Sequence, residues 1–442
     1  MQHTLIYTLG VVGFFLGLMI SIGLHEVGHL WPAKRCGVKV TEYFVGFGRR
    51  VWSVRRGETE YGIKAIPLGG YVKLVGMLPP AKDAPAGTGD ADHPRQVRSS
   101  NTGMFTQLVA DARAAEYENV RPGDEERLFY RKPWWQKLII MVGGPFMNIA
   151  IAAFLFAVLI MGIGTPGPPN TTVAEVSDCV IAAAQAPRAC TDADPPTPAV
   201  KAGLRPGDEV ATFNGVEVTS WDQLTVLIRD NADGAAVIGI VRDSEPMTLR
   251  TDTTVSPRED LDDPDSYVEV GFLGVSPEQP YVRGGPVDVA AQMGSLVKLT
   301  GVAMLEMPQR MVGVVEAAFG AERAVDSPMS VVGASRVAGD LASDDSFSWR
   351  ERISQLIALL AGVNLFIAMF NFIPLLPLDG GHIAGALYEA ARRGIARLRG
   401  RPDPGYVDVA KLLPLAYAVA MVLVVMGVLL VYTDLVNPVR LQ

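Results

Sequence analysis

The residues best suited to chemistry stand together in the segment GLHEVGHLWP, residues 23–32. His25, Glu26 and His29 form the pattern H-E-x-x-H. Residues four apart lie on one face of an α-helix, about one turn apart, so both imidazoles can bind one metal ion. Glu26 lies beside them, where its carboxylate can accept a proton from an attacking water. The pattern predicts metal-assisted hydrolysis.

So short a motif also occurs by chance, and the alternative is a helix end whose polar groups merely reach water. Two observations argue against chance. The chain has only five histidines and the motif contains two of them. The apolar run at 5–24 just before it carries no charge. Ionisable side chains at the edge of such a run need partners, which a metal site would supply.

A third metal ligand is expected, because a catalytic zinc usually has three protein ligands and one water. The best candidate is Asp379 in NFIPLLPLDGGH, residues 371–382. Pro374 and Pro377 break the helix before it, and the two glycines after it free the backbone. The alternative for Asp379 is a helix-capping or turn carboxylate. His382 can also ligate, but we expect it to support the site.

Two imidazoles and one carboxylate favour Zn²⁺. Zinc would lower the pKa of water to about 7 and polarise a peptide carbonyl. Glu26 would take the water's proton and pass it to the leaving amine. The expected reaction is peptide hydrolysis without a covalent intermediate.

The elements that hold these residues are predicted to be membrane helices. The chain has 442 residues, 49% of them hydrophobic, and a mean hydropathy of +0.23. Four apolar runs are each long enough to cross about 30 Å of hydrocarbon as a helix. They are residues 5–24, 138–163, 353–376 and 412–432. The first run has no Lys or Arg ahead of it and no small-residue cleavage site after it, so we expect it to be retained.

Basic residues near the helix ends predict the orientation. They follow the first and third apolar runs, which we call predicted helices 1 and 3. They are Lys34, Arg35, Lys39, Arg49, Arg50, Arg55, Arg56, Arg392, Arg393, Arg397, Arg399 and Arg401. These loops are expected in the cytoplasm and the acidic segment 164–352 outside. The histidine pair and Asp379 then share the cytoplasmic side. A net charge of −8 gives no support to a nucleic-acid partner.

The cysteines fit this orientation. Cys36 falls on the reducing side. Cys179 and Cys190 fall outside, where they can form a disulfide or remain two free thiols.

Local signals predict further boundaries. Pro32 is expected to end helix 1. Residues 42–77 are typical of strands, with a hairpin turn at Gly69-Gly70. Residues 79–103 are expected to be a flexible insert. Trp134, Trp135 and Lys137 suit an interfacial belt at the start of helix 2.

Residues 171–256 are predicted to form a small β-rich domain outside the membrane. Its central segment, AGLRPGDEVATFNGVEVTSWDQLTVLI at 202–228, has an Asn-Gly turn at 214–215 and a capped helix from Ser220.

Together these motifs resemble the site-2 protease family of intramembrane zinc metalloendopeptidases (peptidase M50), particularly its actinobacterial branch. The resemblance covers nearly the whole chain. The motifs in family order are HEVGH (25–29), GFG (46–48), YGIKAIPLGGYVKLVGM (61–77), GPFMN (144–148), the domain at 202–228, SPMSVVGASRVAG (327–339) and NFIPLLPLDGGH (371–382).

The resemblance implies roles for individual residues. His25, His29 and Asp379 would bind zinc, and Glu26 would be the catalytic acid/base. Asn371 matches an asparagine that holds the substrate backbone. The hairpin matches a membrane-dipping β-loop, and the outer domain resembles a PDZ domain. The substrates implied are single-span proteins of the bacterial plasma membrane, such as anti-sigma factors already trimmed outside.

The expected fold is an α-helical polytopic membrane protein with four transmembrane helices, a membrane-associated β-hairpin and one extracytoplasmic PDZ-like α/β domain. Its expected segments are 1–32 with the H-E-x-x-H motif, cytoplasmic loop 33–137, 138–163, PDZ-like 171–256, linker and surface helices 257–352, 353–382, cytoplasmic loop 383–411, and 412–433. The insert at 79–130 is longer than the family pattern. The PDZ-like domain lacks the Gly-Leu-Gly-Phe loop that binds a peptide carboxylate. Two roles therefore stay open for this domain, capture of peptide ends or a size filter over the active site.

Two rival functions are weighed. A membrane-anchored PDZ scaffold would contain a structural metal site, closed by four protein ligands. A transporter would use its intramembrane charges as a pathway, but four helices without an inverted repeat argue against it.

A membrane protease must also unwind a substrate helix, whose carbonyls are hidden in internal hydrogen bonds. We hypothesise that the 61–77 segment, with Asn371, holds the substrate extended by strand addition.

Overall fold

The computed structural model describes residues 2–80, 109, 111–113, 120–183, 188–261, 263, 266–324 and 326–439. Most of the predicted insert at 79–103 lies outside the described residues. The helices are α1 (Gln2–Arg35), α2 (Trp134–Ala157), α3 (Pro198–Ala202), α4 (Trp221–Asp230), α5 (Pro286–Ala318), α6 (Val331–Ser343), α7 (Trp349–Asn371), α8 (Asp379–Leu398) and α9 (Leu413–Val436). The described residues divide into two compact units, one formed by those within 1–163 and 284–442 and the other by those within 164–283.

Four helical segments in the described part of the chain are long and apolar enough to cross a membrane. They are His3–Arg35, Trp134–Ile163, Trp349–Asn371 and Val409–Val436. The prediction of four spanning helices is confirmed. The second span ends in a π-helical segment, Val158–Ile163, that continues α2.

The predicted end of the first helix at Pro32 is wrong. Pro32 lies inside α1, which continues to Arg35, and the Cys36 amide donates to the Pro32 carbonyl at 2.8 Å. A proline removes one backbone donor and disturbs the turn before it, but its own carbonyl still accepts. One further turn can therefore form beyond it.

Strands β1 (Val40–Arg56) and β2 (Thr59–Leu74) form a sheet beside α1. The tight turn that joins them is at Gly57, which has φ +63°. The predicted turn at Gly69-Gly70 is therefore wrong, because β2 runs through both glycines.

The pairing explains why β2 bends at that point without reversing into a hairpin. Residues 42–45 of β1 pair with 70–73 on one side and with 60–63 on the other. Both halves of β2 thus pair with β1 and not with each other. Gly69 has φ +109°, a conformation that residues with side chains rarely adopt, and it lies between the two halves.

Within the unit 164–283, the residues that the structure describes form ten short strands. They are β3 (Thr165–Pro166), β4 (Val173–Val176), β5 (Glu209–Phe213), β6 (Val216–Glu217), β7 (Ala235–Arg242), β8 (Glu245–Asp252), β9 (Thr254–Glu259), β10 (Tyr267–Phe272), β11 (Val275–Pro277) and β12 (Tyr281–Val282). The main sheet has the order β6-β5-β7-β8, and three further pairs are β4 with β11, β3 with β12, and β9 with β10. The apolar core includes Val210, Phe213, Leu224, Ile238 and Leu273.

Local predictions in this unit are confirmed. Asn214 and Gly215 have φ of 49° and 82°, as the predicted turn requires. Ser220 caps α4 by accepting a hydrogen bond from the Gln223 amide at 3.2 Å. Cys179 and Cys190 form a disulfide.

Two segments hold more helix than the sequence indicates. The region expected to be linker and surface helices contains the 33-residue α5. The expected cytoplasmic loop 383–411 begins with helix, because α8 continues to Leu398. Helix α5 packs through Val289, Met293 and Leu296 in a cluster with Phe156 and other apolar residues of the membrane helices.

Candidate active site

The three predicted metal ligands converge. His25 Nε2 and His29 Nε2 lie 3.3 Å apart. Asp379 Oδ2 lies 3.4 Å from His25 Nε2 and 3.3 Å from His29 Nε2. These residues come from α1 and from the first turn of α8, 350 positions further along the chain. Their three atoms form a nearly equilateral triangle.

This triangle fits zinc. In a tetrahedral site with metal–ligand distances of about 2.0–2.1 Å, ligand atoms lie roughly 3.3–3.4 Å apart. Asp379 Oδ2 is buried and has no hydrogen-bond partner among the described residues. A buried carboxylate oxygen without a donor is costly, and a cation bound between it and the two imidazoles would compensate it. Three ligands leave the fourth position of a tetrahedron open.

The backbone of α2 sets the chemistry of His29. Its Nδ1 lies 2.8 Å from the Ile140 carbonyl oxygen. A carbonyl can only accept, so Nδ1 carries the proton and the Nε2 lone pair is free to bind a metal ion between the three ligand atoms. His25 Nδ1 is buried and has no hydrogen-bond partner among the described residues.

Two adjacent glycines bring α2 against the motif. A Cβ on Gly143 would lie 2.0 Å from the Gly28 carbonyl oxygen, so the helices cross with their backbones in contact. A Cβ on Gly144 would lie 2.2 Å from His29 Nε2 and 2.8 Å from His25 Cε1. The GGPFMN segment therefore provides the space that the two rings occupy.

Asp379 is positioned by a break between α7 and α8. Helix α7 ends at Asn371, and Asp379 opens α8. Gly380 and Gly381 are buried within α8, which corrects the expectation that they free the backbone. A Cβ on Gly380 would lie 2.1 Å from the Ile373 carbonyl oxygen, so these glycines allow close packing against residues 372–376.

Glu26 lies under the β-sheet. A Cβ on Gly70 would be only 2.9 Å from Glu26 Cγ, so strand β2 passes directly beside the glutamate. The Tyr43 hydroxyl donates to the Gly23 carbonyl at 2.8 Å and ties β1 to the same turn of α1. Residues 70–73 pair with β1 on one edge, and no described strand pairs with the other.

Asn371 and His382 flank the ligand group along the chain. The Asn371 amide donates to the Ile367 carbonyl at 3.1 Å, within its own helix. Within the described residues, the Asn371 side chain makes no hydrogen bond to His25, His29 or Asp379. The role of Asn371 stays a prediction.

A buried ion pair that the sequence does not predict joins α2 to α8. Lys137, assigned above to an interfacial belt, is only 6% exposed, so that prediction is wrong. Its Nζ lies 2.7 Å from Glu389 Oε2, and the Glu389 side chain is 2% exposed. The charge pattern of the two segments gives no signal for this pairing, since 252 positions separate them.

Comparisons with known proteins agree with the site. The model of peptidase family M50 matches residues 13–414. The zinc metalloprotease Rip1 of Mycobacterium tuberculosis is 33% identical over 453 residues, covering 99% of this chain and 100% of the relative. Rip1 of Mycolicibacterium smegmatis is 32% identical, with 98% and 99% covered. Metalloprotease MmpA of Caulobacter vibrioides is 26% identical over 396 residues, 87% of each chain.

The mycobacterial relatives match the expected actinobacterial branch, and the family model spans both the H-E-x-x-H helix and Asp379. The family prediction is confirmed, and the chain belongs to peptidase family M50.

Proposed function

We propose that in this M50 peptidase, an intramembrane zinc metalloprotease, His25, His29 and Asp379 hold Zn²⁺ and Glu26 transfers protons. The observation that carries the proposal is the triangle of ligand atoms, with edges of 3.3–3.4 Å. The mycobacterial relatives are named zinc metalloproteases, which supports zinc as the metal.

Each residue has a distinct part in the reaction. Bound zinc supplies Lewis acidity, which lowers the pKa of water and polarises the scissile carbonyl. Glu26 follows His25 in the chain, and its carboxylate takes the proton of the attacking water and delivers it to the leaving amine. His29 keeps its Nε2 lone pair directed at the site through the bond from its Nδ1 to the Ile140 carbonyl.

The substrate enters as an extended segment beside β2. Residues 70–73 offer an edge with no strand partner in the described part of the chain, and Gly70 lies against Glu26. Strand addition at this edge would present a peptide carbonyl near the metal. Asn371 would hold the substrate backbone from the end of α7.

The substrates are single-span membrane proteins, of the anti-sigma class that the site-2 protease resemblance implies. The protein would be a multi-pass protein of the bacterial plasma membrane, with the catalytic residues toward the cytoplasm. The unit of residues 164–283 would be a PDZ-like domain outside. The acidic composition of that segment and the basic loops support this orientation.

The rival PDZ scaffold with a structural metal site is disfavoured. A closed zinc site has four protein ligands. The described residues bring three such groups together, His25, His29 and Asp379. A site with three ligands favours catalysis.

The decisive experiment compares wild type with Glu26→Gln. Purified proteins in detergent are given a single-span reporter, and zinc content and cleavage are both measured. Wild type should cleave, whereas the variant should bind as much zinc and not cleave. If the variant cleaves at the wild-type rate, Glu26 is not the acid/base. If both bind zinc and neither cleaves, the scaffold reading gains support.

A second experiment tests strand addition. Residues 67–73 are replaced by a Gly/Ser linker of equal length, which removes the ordered edge and leaves α1 and α8 unchanged. Zinc content should persist while cleavage is lost. Normal cleavage by this variant would contradict substrate binding at β2.

A further inference from the structure

We infer that Lys137 and Glu389 are positioning residues for the metal ligands, an inference that rests on the proposed zinc site. The pair joins α2 to α8, the helix that opens with Asp379. Through it, α2 sets where Asp379 lies relative to the two histidines of α1.

The geometry of α2 carries the argument. Ile140 bonds His29 through its carbonyl, and Lys137, three residues earlier, bonds Glu389. Positions three apart on a helix are neighbours on its surface. One turn of α2 therefore holds a ligand of α1 with one group and the ligand-bearing helix α8 with another.

The close packing around Asp379 does not make the pair redundant. Gly380 and Gly381 press against residues 373–376, which belong to the connection leading into α8. These contacts fix Asp379 within its own segment. Attachment to α2 comes from Ile383, which packs in the cluster that includes Ile140, and from Glu389 farther along α8.

Glu389 is well placed to control the angle of α8. It lies ten residues after Asp379, about 15 Å along the helix at 1.5 Å per residue. Helices α2 and α8 pack against each other, and the ion pair adds a hydrogen-bonded attachment far from Asp379, where a small shift of α8 changes its angle most. Groups hydrogen-bonded directly to metal ligands typically contribute 10–100-fold to metal affinity. The Lys137–Glu389 pair acts through α8, one step farther from the metal, so we expect its effect at the lower end of that range.

The neighbouring charges predict which substitution matters more. Arg393 also pairs with Glu389, at 3.2 Å, and with Asp403 at 3.3 Å. Glu389→Gln leaves Lys137 buried without its anion and beside a second cation. Lys137→Met leaves Glu389 compensated by Arg393. Because an uncompensated buried charge is the costlier defect, the glutamine variant should displace α8 further.

The test measures zinc affinity of the full-length protein in detergent, by competition with a chelator of known affinity. Glu389→Gln should weaken zinc binding by about tenfold or more, and Lys137→Met by less. Adding Lys137→Met to Glu389→Gln should restore part of the affinity, because it removes the unpaired charge. A lesion that only destabilises the fold would show the same reversal in melting temperature, so a control variant must separate positioning from stability.

A matched control separates positioning from stability. Arg323 and Asp434 form another buried ion pair, at 2.7 Å with both side chains 2% exposed, and Asp434 is on α9. Asp434→Asn should lower the melting temperature and leave zinc affinity within about twofold of wild type. The inference is wrong if Glu389→Gln binds zinc like wild type, or if Asp434→Asn weakens binding equally.

Two further variants keep the test decisive if Glu389→Gln is unstable. If Glu389→Gln does not fold, the comparison of Lys137→Met with Asp434→Asn decides, since only the former should weaken zinc binding. His29→Ala reports on the proposed ligands separately. If His29→Ala keeps wild-type affinity, the proposed zinc site fails; if it loses zinc while Glu389→Gln does not, only the positioning role fails.

Discussion

Gly144 leaves space for both histidine rings, and a methyl group there would enter that space. An added Cβ would lie 2.2 Å from His29 Nε2, closer than real Cβ contacts allow. Gly144→Ala should therefore push the rings apart and weaken zinc binding by about tenfold or more. Chelator competition on the purified protein checks this.

The control is Gly362→Ala in α7, where an added Cβ meets nothing within 4 Å. Alanine favours a helix interior over glycine by about 1 kcal/mol, so this variant should keep zinc affinity and be at least as stable as wild type. Equal zinc affinity in Gly144→Ala and wild type would mean that α2 does not confine the rings.

Single residues differ in how far the sequence could predict them. His25, Glu26 and His29 follow from spacing on one helix, and Asp379 from the need for a third ligand beside a helix break. Gly144 and the Ile140 carbonyl could not be predicted this way, because a missing side chain and a backbone oxygen carry no type-specific signal. Lys137 shows the opposite failure, since a lysine at a helix start is usually at the surface and here it is buried against Glu389.

At the scale of elements, hydropathy predicts the spanning helices because each has a long uncharged run. It does not predict strand partners. Gly69-Gly70 is typical of a tight turn, yet residues 42–45 pair with both halves of β2, and this non-local pairing overrides the local signal. Pro32 likewise weakens but does not end α1.

Asp208 joins elements of the unit 164–283. Its side chain is 1% exposed and accepts hydrogen bonds from the Arg205 amide at 2.8 Å and from Arg242 Nε at 2.7 Å. Burial alone raises the pKa of this carboxyl, but the bonds from Arg242 and the Arg205 amide outweigh burial and leave the pKa below its usual value. The charged form is thus the one that the folded unit stabilises.

Asp208→Asn should lower the melting temperature of this unit by at least roughly 4 °C at pH 7. In wild type, the pKa is lower in the folded state, so the carboxylate's contribution is present above the unfolded pKa of about 3.9 and is lost as pH falls through the folded value. Calorimetry of the full chain in detergent at pH 7 and pH 3 checks both points. Asp233→Asn, at an exposed position, is the control and should change neither the melting temperature at pH 7 nor its dependence on pH.

At the scale of the whole molecule, the three cysteines can report on the proposed orientation. Cys36 is a free thiol just after the first span, and Cys179 and Cys190 are bonded to each other in the unit 164–283. Disulfides persist in oxidising compartments, so the pair is consistent with an outside location. Burial raises the pKa of the Cys36 thiol, which slows its reaction with thiol reagents.

In right-side-out membrane vesicles, a membrane-impermeant maleimide should label nothing at first. After an impermeant reductant is added, two thiols per chain should react, and Cys36 should react only once the membrane is opened, slowly at pH 7 and faster at pH 8.5 because its thiolate fraction rises. Cys36→Ser is the control and should remove only the last label. Labelling of Cys36 in sealed vesicles would place the end of α1, and with it the histidine pair, on the outer side and would overturn the orientation drawn from the basic loops.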